Sequence, residues 1–303
     1  MSETCQTGAN CHDIKTGMTA SKHKYILGER TEEIIRLGLQ HRVWRPRVLE
    51  CWRNAGITTG SRVMDVGAGP GYTTVDLAEI VGPVGEVFAV ERSANFLQHA
   101  REACGIRGLT NVRFSEMDLM QEYVDVSDLD AAWCRWVACF VSSPAKLIAN
   151  IARSLRKGGV AIFHEYIDYR TWRLAPRRSA VESFVSEVME SWRAADGEPD
   201  IALSLPSLLR DAGFHIRHIA PIVFSTTPRD FVWQWPSGFL KSYLPRLVEL
   251  GRIDAAFADT VRREFLEAEA DPSTVMITPL LLEIIAESSG QDSFMPAPDR
   301  NMK

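Results

Sequence analysis

The 303-residue chain has no C-x-x-C pair, no apolar run of membrane-spanning length, no excess of basic residues and no internal repeat. Each absence removes a class of protein. The six cysteines, at positions 5, 11, 51, 104, 134 and 139, do not have the spacing of a disulfide framework. Reduced thiols are the simplest reading, with Cys134 and Cys139 as small core residues in an apolar stretch. Cys5, Cys11 and His12 make one loose metal-like grouping, but no second ligand pair at zinc-like spacing follows, so no metal is expected. No run approaches the roughly 18 apolar residues of a membrane span. The N-terminus lacks the apolar core of a signal peptide, so a soluble, cytoplasmic protein is expected. With 34 Lys+Arg against 39 Asp+Glu, the net charge of -5 argues against a general nucleic-acid binder.

What remains is an ordinary globular balance, 46% hydrophobic and 24% charged, in a chain long enough to bury a core without staples. Residues 1–20 and 291–303 are polar and are expected to be disordered tails. Residues 21–60 read as an N-terminal helical lid. Ile34, Leu37, Val43, Val48 and Trp52 recur at helical steps, with Thr31 as N-cap and Pro46 opening a second helix. From Arg62 the pattern alternates. Strands are expected at 62–66, 86–91, 111–115, 129–137 and 160–166, and helices at 72–81, 94–104 and 144–156. That order predicts a doubly wound, Rossmann-like α/β sheet over residues 61–227. Within it, helices at 176–195 and 205–212 precede a strand at 214–224. An aromatic stretch at 228–270, with Trp233, Trp235, Phe239 and Tyr243, predicts a helical cap, and 275–286 a last core strand within 271–290.

The most informative segment is Val63-Met64-Asp65-Val66-Gly67-Ala68-Gly69-Pro70-Gly71. An apolar strand ends in a carboxylate and turns through three glycines into a helix, at the edge where open α/β sheets bind ligands. The glycines run G-x-G-x-G, and Tyr72 stands where a dinucleotide fingerprint has its third glycine. Pyrophosphate disfavours a nearby carboxylate. The ammonium of a methionine moiety, as in S-adenosylmethionine, favours one. Glu91 closes the second strand and suits a ribose diol. Asp118, with Leu119 beside it just past the third strand, suits an adenine amino group. Each feature alone is weak, and a lone Asp118 is more often a helix cap or a solvated turn; their order and spacing carry the reading.

At these residues the chain resembles the class I S-adenosylmethionine-dependent methyltransferases, nearest in flavour to the ubiquinone/menaquinone-biosynthesis-like and natural-product small-molecule group. The resemblance spans roughly residues 60–225. It implies a seven-stranded sheet with the last strand antiparallel. It places Gly67, Ala68, Gly69 and Gly71 around the methionine part of the cofactor and Glu91 and Arg92 at the ribose. Asp118 and Leu119 fall at the adenine, and Cys134 and Arg135 near the methionine end and the substrate. Tyr25 and Gln40 close over the cofactor from the N-terminal segment. The DNA amino-methylating signature is absent; Cys134-Arg135-Trp136-Val137 stands in its place.

Methyl transfer needs an in-line nucleophile and a dry site, so no conspicuous catalytic residue is required. The candidates are His164 and Glu165, expected at the end of the fifth strand, and His41 beside Gln40. Their bland readings are a structural histidine and a solvated acid. The expected partner is a small-molecule substrate rather than nucleic acid, and homo-oligomerisation stays open. Three alternatives remain. One is a cyclase-like or regulatory relative that binds the cofactor without transferring methyl. The others are a nicotinamide-dependent oxidoreductase and an RNA methyltransferase.

Overall fold

The computed structural model describes Leu27 and residues 31–290. Tyr25, Cys5, Cys11, His12 and the two expected tails lie outside the described residues. Chain order begins with α1 (Thr31–Ala55), β1 (Arg62–Val66), α2 (Tyr72–Val81), β2 (Glu86–Glu91), α3 (Ala94–Ile106) and β3 (Val112–Glu116). It continues with β4 (Leu129–Arg135), α4 (Pro144–Ser154), β5 (Leu155–Asp168), β6 (Arg173–Ala175), α5 (Ser179–Arg193) and α6 (Leu205–Asp211). It closes with β7 (Phe214–Ile222), β8 (Ser225–Thr226), α7 (Gln234–Glu249), α8 (Ala255–Ala270), β9 (Val275–Ile277) and β10 (Leu280–Ser288).

Seven strands form one sheet in the order β3-β2-β1-β4-β5-β10-β7. The five strands β1 to β5 pair in parallel, and β10 runs antiparallel to both neighbours, β5 and β7. The expected α/β sheet with an antiparallel last strand is therefore present. The order reverses between β1 and β4, which places the crevice at the carboxyl end of β1. The middles of the central strands are apolar, as burial on both faces demands: Val63, Met64, Ala131, Ala132, Ile162 and Phe163 are all fully buried.

Several boundaries differ from those the sequence suggests, each for a physical reason. Pro46 does not start a new helix. It lies inside the continuous α1, with its ring on the exposed face, while buried Trp44, Val48 and Trp52 anchor the helix on both sides. That burial outweighs the proline penalty of about 3 kcal/mol. Segment 275–286 is not one strand. Val275–Ile277 joins a separate three-stranded sheet, β6-β9-β8, and only after Thr278-Pro279 does β10 enter the main sheet. The fifth strand runs from Leu155 to Asp168, so α4 stops at Ser154 and residues 164 and 165 fall inside the strand rather than at its end. Residues 228–270 fold chiefly as a helical pair, α7 and α8. α7 packs on α1, and the two together cover the carboxyl edge of the sheet.

The turn between β1 and α2 is fixed by packing as well as conformation. Gly71 has φ +87°, and a Cβ there would lie 2.5 Å from Ala100 Cβ on α3. Gly56 has a similar φ of +88°, but open space around it. Gly71→Ala is therefore expected to cost about 2–4 kcal/mol in urea unfolding, conformational strain plus overpacking, against about 1–2 kcal/mol for Gly56→Ala. Equal losses at the two sites would contradict this account of the turn.

Candidate active site

A cavity of about 690 Å³ opens at the carboxyl end of β1, within the range of small-molecule sites. It has two parts. One is built by the glycine turn and the ends of β2 and β3. The other is walled by aromatic side chains from β4, β5, α5 and α7.

In the first part, Asp65 is buried at the end of β1. Its Oδ2 accepts hydrogen bonds from Thr73 and Thr74 Oγ1 at 2.9 and 2.7 Å, so the start of α2 fixes the carboxylate. Burial pushes the Asp65 carboxyl up to about 6 despite those two bonds. Gly67 and Gly69 have positive φ, +64° and +55°. A Cβ on Gly67 would collide with Val137 at 2.5 Å, whereas at Gly69 no described residue lies within 4 Å. The turn thus leaves an empty cradle over its backbone at Gly69. Glu91 closes β2, accepting the Gly69 N–H on Oε2 at 3.0 Å and the Ser93 N–H on Oε1 at 2.9 Å.

Asp65, Gly67, Ala68, Gly69, Glu91, Arg92, Asp118, Leu119, Arg135, Gln40 and His41 all line this one cavity. Asp118 also caps its own turn, accepting from Met120 N–H at 2.9 Å and Gln121 Nε2 at 3.1 Å. Gly71 and Cys134 do not line it: Gly71 packs on α3, and Cys134 is fully buried within β4. Nor do His164 and Glu165. Both are fully buried inside β5, because the strand continues past them.

Those two residues instead support the floor. Glu165 Oε1 accepts the N–H groups of Val137 and Ala138, both at 2.8 Å, and so clamps the turn after β4. That clamp helps set Trp136, whose φ of +53° is rare for a non-glycine residue. His164 Nε2 lies 2.9 Å from Glu283 Oε2 on β10, and the other oxygen of Glu283 meets Arg47 at 3.1 Å and His218 at 3.2 Å. Cys51, His164 and Glu283 are close enough together to hold a metal ion. The Arg47 guanidinium already neutralises that carboxylate, so a divalent cation would meet a positive charge there.

The second part of the cavity was legible only as a cap. Of the aromatic residues outside the central sheet, Trp192 and Phe239 reach the cavity, joined by Trp136, Phe140 and Tyr166. Trp136 stacks between Tyr166 and Trp235, at 5.8 Å from each. Arg135 stands over Trp136, 4.9 Å from its ring centre, with a buried Nη1 that has no partner among the described residues. Burial lowers its guanidinium to about 10, against the opposing pull of Asp65. Arg177 and Arg178, by contrast, pair with Glu182 and Glu267 away from the cavity.

Sequence reasoning missed Arg36, Tyr72 and Asp76. Arg36 lines the cavity, bonded to both oxygens of Glu33 and to Gln40. The i, i+4 spacing of Arg36 and Gln40 was a usable signal. Asp76 had a fainter one, an acid on the buried face of a helix.

The residues present suit an adenosyl ligand with a cationic centre: a buried acid at the turn, an open glycine backbone, an acid at the end of β2 and an orphaned guanidinium. Fold and site together resemble those of the class I S-adenosylmethionine-dependent methyltransferases. Residues 64–163 match the family described as Methyltransferase domain. Demethylmenaquinone methyltransferase of Staphylococcus aureus is 28% identical over 123 residues, 41% of this chain and 49% of that enzyme. The chain thus spans about half the length of the curated relatives it matches. Among solved structures, the Haemonchus contortus phosphoethanolamine N-methyltransferase 2 complexed with S-adenosylhomocysteine superposes with a TM-score of 0.53. It is 18% identical, covering 86% of this chain and 58% of that one. The cyclase SpnF superposes with a TM-score of 0.50 at 20% identity, covering 79% of each chain. Among the described residues no helix is long and apolar enough to cross a membrane.

Burial pushes the Glu165 carboxyl up to about 7, against the pull of its backbone donors. Since its folded value lies above the ordinary 4.5, the associated stability is fully present below about pH 4.5 and is lost as pH rises through about 7. Glu165→Gln is expected to flatten the fall in unfolding free energy, measured in urea, from about pH 5 to about pH 8 by on the order of 1–3 kcal/mol. An unchanged slope would mean that Glu165 is not the titrating group.

Proposed function

We propose that this protein transfers a methyl group from S-adenosylmethionine to an O, N or C atom of a small molecule, by in-line displacement in the aromatic part of the cavity. The observation that carries the reading is the pairing of buried Asp65 with the bare backbone at Gly69, one wall of a cavity whose other wall is apolar. Asp65 and the turn at Gly67, Ala68 and Gly69 receive the methionine end, with Arg135 and Gln40 opposite. Glu91 and Arg92 take the ribose, and Asp118 and Leu119 the adenine. Gly71 acts from behind, by letting α3 approach the turn. The chain's contribution to rate is orientation and exclusion of water, worth about 7–11 kcal/mol in favourable cases.

Domain roles follow the same division. Residues 61–227 form the cofactor-binding core with its final strand in 271–290, the described part of 21–60 forms a lid, and 228–270 a cap. A second reading keeps the cofactor but not the transfer, in keeping with the likeness of this fold to a cyclase. Labelled S-adenosylmethionine incubated with the protein and a metabolite extract separates the two: label in an extract compound supports transfer, and tight binding without labelled product supports the alternative.

Asp65→Asn and Glu91→Gln are each expected to weaken S-adenosylmethionine about 10–100-fold by calorimetry, since a hydrogen bond to a charged group is worth about 1.5–3 kcal/mol. Wild-type affinity should also fall as pH drops through about 6, where Asp65 takes up a proton, and Asp65→Asn should lose that dependence. Retained affinity in the double variant would remove the basis of the reading.

A further inference from the structure

The cavity holds one arrangement that cofactor binding does not use. His41 on α1 lines it and is itself buried. Its Nε2 lies 3.1 Å from Asp76 Oδ2 on α2. An ionised carboxylate only accepts hydrogen bonds, so Nε2 carries the hydrogen and Nδ1 carries the lone pair of the neutral ring. Nδ1 is buried and has no partner among the described residues. An orphaned buried nitrogen is costly, and in a residue that lines a ligand cavity the partner can arrive with the ligand. The ring plane is fixed by Tyr72, stacked at 5.9 Å and 18°.

The groups facing His41 favour the neutral imidazole. Asp76 is shared with Arg45, whose Nε lies 2.8 Å from the same oxygen. Arg135 approaches from the end of β4. Burial, helped by the charges of Arg135 and Arg45, lowers the imidazole below its ordinary value, and the Asp76 bond does not fully offset this. Burial would raise Asp76, but its bonds from His41 and Arg45 outweigh that and keep it ionised. The histidine is thus a base with its tautomer set by an acid, the logic of a catalytic dyad.

The walls add the shape of the acceptor. Trp136, Tyr166, Trp192 and Phe239 bound an apolar chamber whose rings meet stacked, tilted or edge to face. Such walls suit a flat ring. A base is useful only to a nucleophile that still carries its proton at neutral pH, which a thiolate or a carboxylate does not. Resting on the methyltransferase reading, we propose that His41, oriented by Asp76, is the general base for an acceptor that is a planar aromatic alcohol, methylated on its hydroxyl oxygen. His41 Nδ1 takes the hydroxyl proton. The oxygen's electron pair forms the new bond to the methyl carbon, and the carbon–sulfur bond breaks with its pair left on sulfur. The imidazolium then returns its proton to solvent, and the orphaned Nη1 of Arg135 is a donor for the oxygen as it loses its proton.

The test uses the full chain with S-adenosylmethionine and three acceptors of rising acidity: 4-methoxyphenol, 4-cyanophenol and 4-nitrophenol. His41→Gln is expected to lower kcat about 10²–10⁴-fold with 4-methoxyphenol, and progressively less with the more acidic phenols, while S-adenosylhomocysteine affinity stays unchanged. Nitrogen NMR of the ligand-free protein should show His41 protonated on Nε2, and Asp76→Asn should disturb that tautomer. Loss that is equal across the three acceptors, protonation on Nδ1 instead, or a protein that binds S-adenosylhomocysteine yet neither binds nor methylates any of the phenols would each overturn the proposal. Failure to bind S-adenosylhomocysteine at all would instead remove the methyltransferase reading, and this inference with it.

Discussion

Everything at this site depends on a carboxylate placed where water cannot reach it freely. Asp65 ends a fully buried strand, and its charge is tolerated because Thr73 and Thr74 donate to it from the first turn of α2. Desolvation still dominates, as its raised pKa records. A buried anion of that kind is poorly satisfied by the protein alone and gains from a cationic ligand. The same turn that carries the acid also bares the backbone at Gly69, so charge and space are created together.

Around that centre the protein distributes its buried polar groups in layers. Asp65 and Glu91 face the cavity. Behind them Glu165 clamps the turn after β4, and the His164–Glu283–Arg47 network ties β5 and β10 to α1. The second layer does not line the cavity, yet it fixes Arg135 and Trp136, which do. Glu283 illustrates how such a layer stays charged: burial would raise its pKa, but His164 and Arg47 outweigh the penalty. Removing one member would leave another buried and unpaired, which is why such networks behave as units.

The aromatic half of the cavity has a different origin. Trp136, Tyr166, Trp192 and Phe239 come from four elements, β4's following turn, β5, α5 and α7, and meet where α5 and α7 pack over the carboxyl edge. Large rings supply both the packing between these elements and the lining of the cavity. Arg36, paired with Glu33 and standing 5.6 Å from the Phe239 ring centre, links α1 to that wall.

The amino-acid sequence alone determined the sheet and the glycine turn after β1. Both are local: a run of apolar residues is a buried strand wherever it goes, and three glycines after an acid dictate the turn that follows them. It did not determine where β5 ends, and so it placed His164 and Glu165 at a ligand edge they do not reach. Nor could it pair His41 with Asp76, 35 positions apart, or bring Trp192 and Phe239 beside Trp136. Those neighbours are chosen by helix packing across the sheet edge, and packing is a property of surfaces in contact, which no spacing along one chain records.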